Sequence, residues 1–273
     1  MATTRLTIST ALPTRQHPSA SDARRVAGGL APLLILYALY SMVRWLVSDR
    51  GPVAGGRHAI SVLNLERWLN IDWELGIQGW VLPHAWLIRA ANGYYVYGFL
   101  PVLIGCGILG AWKAPAIFAW WRRVFSISLT LALTGFALYP LTPPRLLSTS
   151  YGYVDTLLHF GPHYYGDATG SSLFNLYGSI PSTVNVYAAM PSMHVAWSVV
   201  AAVLFWAVAG RRRWATAVAI IHPTLMAFAV VATANHYVID VVAGLTVLLV
   251  SVLLARLWTR RLARQSEPTV DYA

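Results

Sequence analysis

Apolar residues run almost unbroken through six stretches, approximately 30–48, 92–111, 122–141, 191–209, 214–233 and 238–258, with polar residues gathered between them. A helix needs roughly 17 to 25 mostly apolar residues to cross a bilayer, and each stretch meets or nearly meets that length. The pattern predicts an all-α integral membrane protein, a six-transmembrane-helix bundle. The second stretch is the least sharply bounded. Its Gly93, Gly98, Pro101, Gly105, Gly107 and Gly110 suit a helix that packs closely against neighbours. The segment 57–90 spaces Trp68, Trp73, Trp80 and Trp86 among charges, the composition of interfacial helices in an outer loop. In domain terms, 1–28 reads as a disordered cytoplasmic tail, 29–260 as one membrane domain and 261–273 as a second cytoplasmic tail.

Composition agrees with the pattern. The chain of 273 residues is 57% hydrophobic and 11% charged, with a mean hydropathy of +0.54, which excludes an ordinary soluble domain. One cysteine, Cys106, rules out an intrachain disulfide. A net charge of +10 invites a nucleic-acid reading, but the basic residues form short clusters between apolar runs, where topology signals belong. Of 20 Lys and Arg residues, 14 fall on one side: Arg5, Arg15, Arg24 and Arg25, then Lys113, Arg122 and Arg123, then Arg211 to Arg213, then Arg256, Arg260, Arg261 and Arg264. That side is cytoplasmic by the positive-inside rule, both termini included. The connections 49–91 and 142–190 then face outward, and the expected location is the plasma membrane. The first 25 residues lack the apolar core of a cleavable signal.

Three motifs fall on the outer face: YPLTPPR at 139–145, PSMH at 191–194 and NHYVID at 235–240. Ionisable groups at the edge of the hydrocarbon are costly, so their default reading is functional. A hairpin of the fourth and fifth spans about the triple-arginine turn returns His194 and His236 to similar depth. His236 and Asp240, four apart, share a helix face, so the carboxylate can orient one imidazole nitrogen and leave the other as a nucleophile. Ser192 and the amides of 192 to 194, Met193 included, open a helix and suit a phosphate. Arg145 adds a fork for phosphoryl oxygens. His194 is left for proton transfer with the leaving or incoming oxygen.

These motifs, over about residues 92–258, resemble the type 2 phosphatidic acid phosphatase superfamily, which includes lipid phosphate phosphatases, bacterial haloperoxidases and the inositol phosphorylceramide and sphingomyelin synthases. PSMH is similar to the second family motif, usually Pro-Ser-Gly-His; His236 and Asp240 resemble the histidine and aspartate of the third, and Arg145 the arginine of the first. The resemblance implies a six-helix bundle, no metal and no cofactor. It also implies a phosphohistidine on His236, proton transfer by His194, and orientation of His236 by Asp240. Leu138 stands where the phosphatases carry a lysine, Val230 where they carry an arginine, and Met193 where they carry a glycine. These departures, with the Pro-Pro-Arg ending the third span, are closer to the inositol phosphorylceramide synthase branch and its bacterial relatives. The implied partners are a lipid-phosphate substrate and membrane lipids, with no nucleic acid.

Alternatives stay open from sequence. A phosphatase differs from a phosphotransferase only in what attacks the phosphohistidine. A transporter would use midplane sites in broken helices, whereas these polar groups sit at one face. His58, His84 and His222 read as hydrogen-bonded packing residues, and Arg44 and Arg89 as snorkelling cations. His159, His163, Asp155 and Asp167 imitate a metal site that Gly161 and Pro162 break apart. The loop tyrosines suit either a sugar or inositol ring or the interface. Glu66 and Glu74 read as the solvated face of an amphipathic helix.

Overall fold

The computed structural model describes residues 51–160 and 187–265, with a few positions between 24 and 38. The tail 1–28 and the expected span 30–48 fall almost wholly outside the described residues. Arg44, His163, Asp167 and the loop aromatics between 164 and 177 lie outside them too.

Among the described residues the chain is helical, apart from an isolated bridge between Leu141 and Ala188. The helices are α1 (Gly51–Leu69), α2 (Glu74–Val81), α3 (Ala85–Tyr97), α4 (Leu100–Lys113), α5 (Pro115–Leu138), a short α6 (Thr156–Phe160), α7 (Met193–Val208), α8 (Arg213–Ala232) and α9 (Val238–Gln265). Helix α1 stops where Asn70 takes a left-handed φ of 57°, and the amides of Asn70 and Ile71 close onto the Arg67 and Glu66 carbonyls at 3.2 and 3.0 Å. The expected continuous helix over 92–111 is broken at Gly98–Phe99, where α3 and α4 meet at 43°. Pro101, in the first turn of α4, has no amide to bond back to Tyr97, so one helix cannot run through.

Among the described residues three helical segments, Pro115–Leu138, Arg213–Ala232 and Val238–Arg261, are long and apolar enough to cross a membrane, and α3 with α4 makes a fourth if the bent pair is one span. Helix α7 is apolar but has 16 residues, about 24 Å of rise against a hydrocarbon layer of about 30 Å. Helix α9 runs seven residues past the expected end of the last span and takes in the start of the expected tail 261–273. It exposes Val242, Leu245, Leu249 and Leu253, a surface suited to lipid tails.

Helix α7 is packed among α4, α5, α8 and α9. Trp197 on α7 lies against Phe99 and Phe125, and its indole N–H donates to Ser128 Oγ on α5 at 3.0 Å. Left-handed φ values at Gly210 and Arg211 turn α7 tightly into α8. Gly244 on α9 touches the Ser192 backbone so closely that any Cβ there would overlap the Ser192 carbonyl. This contact seats the start of α7 on the side of α9.

Candidate active site

Three connections meet at one end of the bundle: 139–147 after α5, 187–192 before α7, and 233–237 before α9. Backbone bonds stitch them together. Leu141 N donates to Tyr187 O at 2.6 Å, Arg145 N to Ala234 O at 2.9 Å, and Ser192 N to Asp240 O at 2.9 Å. Ala234 is buried with a left-handed φ of 52°, a conformation that an L-residue keeps only where its surroundings enforce it.

The histidines come together as the hairpin predicts. His194 Nδ1 lies 3.3 Å from His236 Nε2. His236 Nδ1 lies 2.8 Å from the Ala189 carbonyl oxygen and 3.3 Å from Asp240 Oδ2. A carbonyl can only accept, so Nδ1 carries the hydrogen and, in the neutral ring, Nε2 carries the lone pair. His236 precedes α9 by two residues, so its contact with Asp240 is made at the helix start and not along a helix face. Asp240 also accepts from Tyr237 N at 2.9 Å and is fully buried. His194 is partly exposed, with ring centroids 4.6 Å from Tyr95 and 4.4 Å from Phe99.

Arg145 is anchored on both sides. Its Nε donates to Asn235 Oδ1 at 2.9 Å and one terminal nitrogen to Asp155 Oδ2 at 2.7 Å. Asn235 in turn donates to Thr233 Oγ1 at 2.7 Å. The other Asp155 oxygen accepts from Leu157 N and Leu158 N at 3.1 and 3.2 Å and so caps α6. Asp155 therefore serves the arginine, and among the described residues no three His, Cys, Asp or Glu side chains gather as a metal site.

The expected anion cradle differs in one respect. The Ser192 amide is spent on the Asp240 carbonyl, which leaves Met193 and His194 to present first-turn amides without intrahelical acceptors. The Met193 side chain packs into the core, while Ser192 Oγ is buried with no hydrogen-bond partner. An orphaned buried hydroxyl is costly in an empty site and fits one that receives a polar ligand. Val230 is fully buried and Leu138 is exposed, so neither position holds a cation here.

His58 bonds to Pro140 O, His84 to Trp80 O, and His222 to the Tyr94 hydroxyl, the packing roles expected of them. Arg89 is exposed. Glu66 and Glu74 do not form a solvated face. Both are fully buried, and Glu74 Oε1 accepts from Val238 N at 2.6 Å while Glu66 Oε1 accepts from Ile239 N at 2.8 Å. The signal was present in the sequence: Ala59, Val62, Leu63 and Glu66 follow the spacing of a buried helix face, which puts a carboxyl among core residues.

Paired histidines, a buried aspartate and an anchored arginine at one end of an apolar bundle define a helical membrane protein with a polar site at its edge. The chain belongs to the PAP2 superfamily, whose family model matches residues 60–254. It is thus a membrane enzyme of the lipid phosphatase and phosphotransferase class. The match begins earlier than the expected 92 and takes in both Glu66 and Glu74. No curated protein and no solved structure matches the chain.

Proposed function

We propose that the enzyme moves a phosphodiester-linked head group from a lipid to an alcohol, as in inositol phosphotransfer, at the extracytoplasmic face of the plasma membrane. The chain would cross six times with both termini in the cytoplasm. The observation that carries the reading is the fixed tautomer of His236. With Nδ1 tied to Ala189 O and Asp240, the lone pair on Nε2 faces His194. In the first step Nε2 attacks phosphorus, the bond to the leaving oxygen breaks, and His194 supplies that oxygen with a proton. In the second step the acceptor hydroxyl gives its proton to His194, its oxygen bonds to phosphorus, and the bond to His236 breaks. Asp240 stabilises the positive charge on the His236 ring between the steps. Arg145, Ser192 Oγ and the amides of Met193 and His194 hold the phosphoryl oxygens.

Charge supports a diester donor. Among the described residues Arg145 is the cation hydrogen-bonded into this cluster, and Asp155 offsets part of its charge. A phosphodiester has one negative charge to be met, whereas a phosphomonoester has up to two. The test is incubation of the purified protein with labelled phosphatidylinositol, phosphatidic acid or a polyprenyl phosphate, with and without polyol acceptors. Label from phosphatidylinositol on the acceptor is the expected result. Release of inorganic phosphate from phosphatidic acid, at a rate indifferent to the acceptor, would make the enzyme a phosphatase.

A further inference from the structure

Beside the histidines lies a second buried polar cluster that the phosphotransfer scheme does not use. Three consecutive amides at the start of α9 are each received by a carboxylate oxygen: Tyr237 N by Asp240, Val238 N by Glu74, and Ile239 N by Glu66. The last two carboxyls arrive from different helices, α1 and α2, about 170 residues earlier in the chain. One acidic side chain normally suffices for a helix N-terminus. Here two are fully buried, and their second oxygens meet no N–H or O–H donor of a neighbouring residue. The two carboxyls are within hydrogen-bonding reach of each other. Burial raises both above the ordinary carboxylate range, Glu66 to about 9.

We infer that Glu66 and Glu74 act as a pair of positioning residues, fixing the backbone at 237–239 so that Asp240 meets His236 Nδ1. The inference rests on the phosphotransfer reading of His236. The physical reason is leverage. Asp240 Oδ2 is 3.3 Å from His236 Nδ1, a separation at which a small rotation of the 237–239 backbone makes or breaks the contact. The three carboxylates remove that freedom from consecutive peptide units. Displacements of about 1 Å at a catalytic group cost rates on the order of a hundred-fold. Neither glutamate touches the substrate in this scheme, so neither is a catalytic residue.

The experiment uses the full chain and a lipid phosphodiester with a 4-nitrophenolate leaving group, followed by rapid mixing. Wild type and His236→Ala come first: a wild-type burst and phosphoenzyme that the variant lacks establish the chemistry. Against that baseline, Glu66→Ala and Glu74→Ala should each slow the burst by about ten- to a hundred-fold with the burst height per folded protein unchanged. Glu66→Gln should recover most of the rate, because its amide oxygen still accepts from Ile239 N and its neutral amide matches a carboxyl that burial keeps protonated. If an alanine variant does not fold, Glu66→Asp carries the same test, since it keeps the carboxyl but is one methylene too short to reach Ile239 N. A wild-type burst rate in the alanine or aspartate variants, or a lower burst height at unchanged rate, overturns the inference and leaves the phosphotransfer reading standing. Absence of burst and phosphoenzyme in wild type removes both.

Discussion

Asp155 lies 2.7 Å from Arg145, with 13% of the arginine and 18% of the aspartate side chain exposed. On the proposed scheme a phosphate entering the site meets a guanidinium already partnered by a carboxylate. Asp155→Asn keeps an oxygen to cap α6 but removes the competing charge. Inorganic phosphate should then inhibit at concentrations about three-fold lower or more, since a single partly exposed charge is worth up to about 1 kcal/mol. Weaker inhibition would mean that Asp155 serves only to aim the arginine.

The two histidines separate by leaving group. His236→Ala should abolish turnover and phosphoenzyme with every substrate. His194→Ala should slow alkoxide leaving groups, with conjugate acids near about 15, by 10²- to 10⁴-fold or so, yet spare the burst with nitrophenolate, near about 7, which departs without a proton. A burst lost in His194→Ala and kept in His236→Ala would invert the assignment.

A methyl group on Gly244 has nowhere to go, because the Ser192 carbonyl occupies its place. Gly244→Ala should cost about 1 to 3 kcal/mol of stability and most of the activity, since the contact seats PSMH against the helix that carries Asp240. Thermal melts and turnover on the purified variant check both. An active variant of unchanged melting temperature would show that α7 can slide along α9 freely.

Stability should fall as pH rises from about 4.5 to about 9. The Glu66 carboxyl titrates near its ordinary value in the unfolded chain and at about 9 in the folded one, raised by burial and by the neighbouring Glu74 and Asp240. In that window the folded state holds a proton that the unfolded state has released, so each step up in pH favours unfolding, and the contribution levels off above about 9. Tyr153 and Tyr237, also beside the pair, are pushed upward by burial and stay protonated throughout. Glu66→Gln should flatten the decline. Melting curves at pH 5, 7 and 9 measure it, and parallel curves for the two proteins would contradict it.

Orientation is open to direct labelling. Ser150 and Arg212 are both exposed, at opposite ends of the bundle on the proposed topology, and the native Cys106 is buried. A cysteine at 150 should react with an impermeant thiol reagent on intact cells and one at 212 should not. The opposite pattern would turn the enzyme over in the membrane.

Legibility in the sequence followed the range of each interaction. The approach of His194 to His236 came from one hairpin with a marked turn. His236 does meet Asp240, but across the start of α9 and not along the helix face that a spacing of four suggested. The Ser192 amide misled, because its acceptor, the Asp240 carbonyl, belongs to a backbone contact that only a glycine at 244 permits. Arg145 showed its charge but not its partners, since Asp155 and Asn235 reach it from irregular segments with no periodicity. Glu66 lay on an apolar helix face, a conflict that sequence alone displays without saying which distant amide resolves it. The break at Gly98 was written in Pro101, yet glycine-rich apolar sequence serves a straight packed helix equally well.

The hydrogen bond from the Ser192 amide to the Asp240 carbonyl also has a meaning for biogenesis. By the time the ribosome has delivered residue 232, Glu66, Glu74, Arg145, Asp155, Ser192 and His194 have all been synthesised. The partners that tie them together, Ala234, Asn235, His236 and the head of α9, have not. On the proposed scheme a chain caught at that stage holds no nucleophile, and its loops lack the peptide groups they close upon. If the proposed scheme holds, competence arrives in one event, when α9 docks, and a half-inserted polypeptide has no means of cleaving the lipids through which it is being threaded.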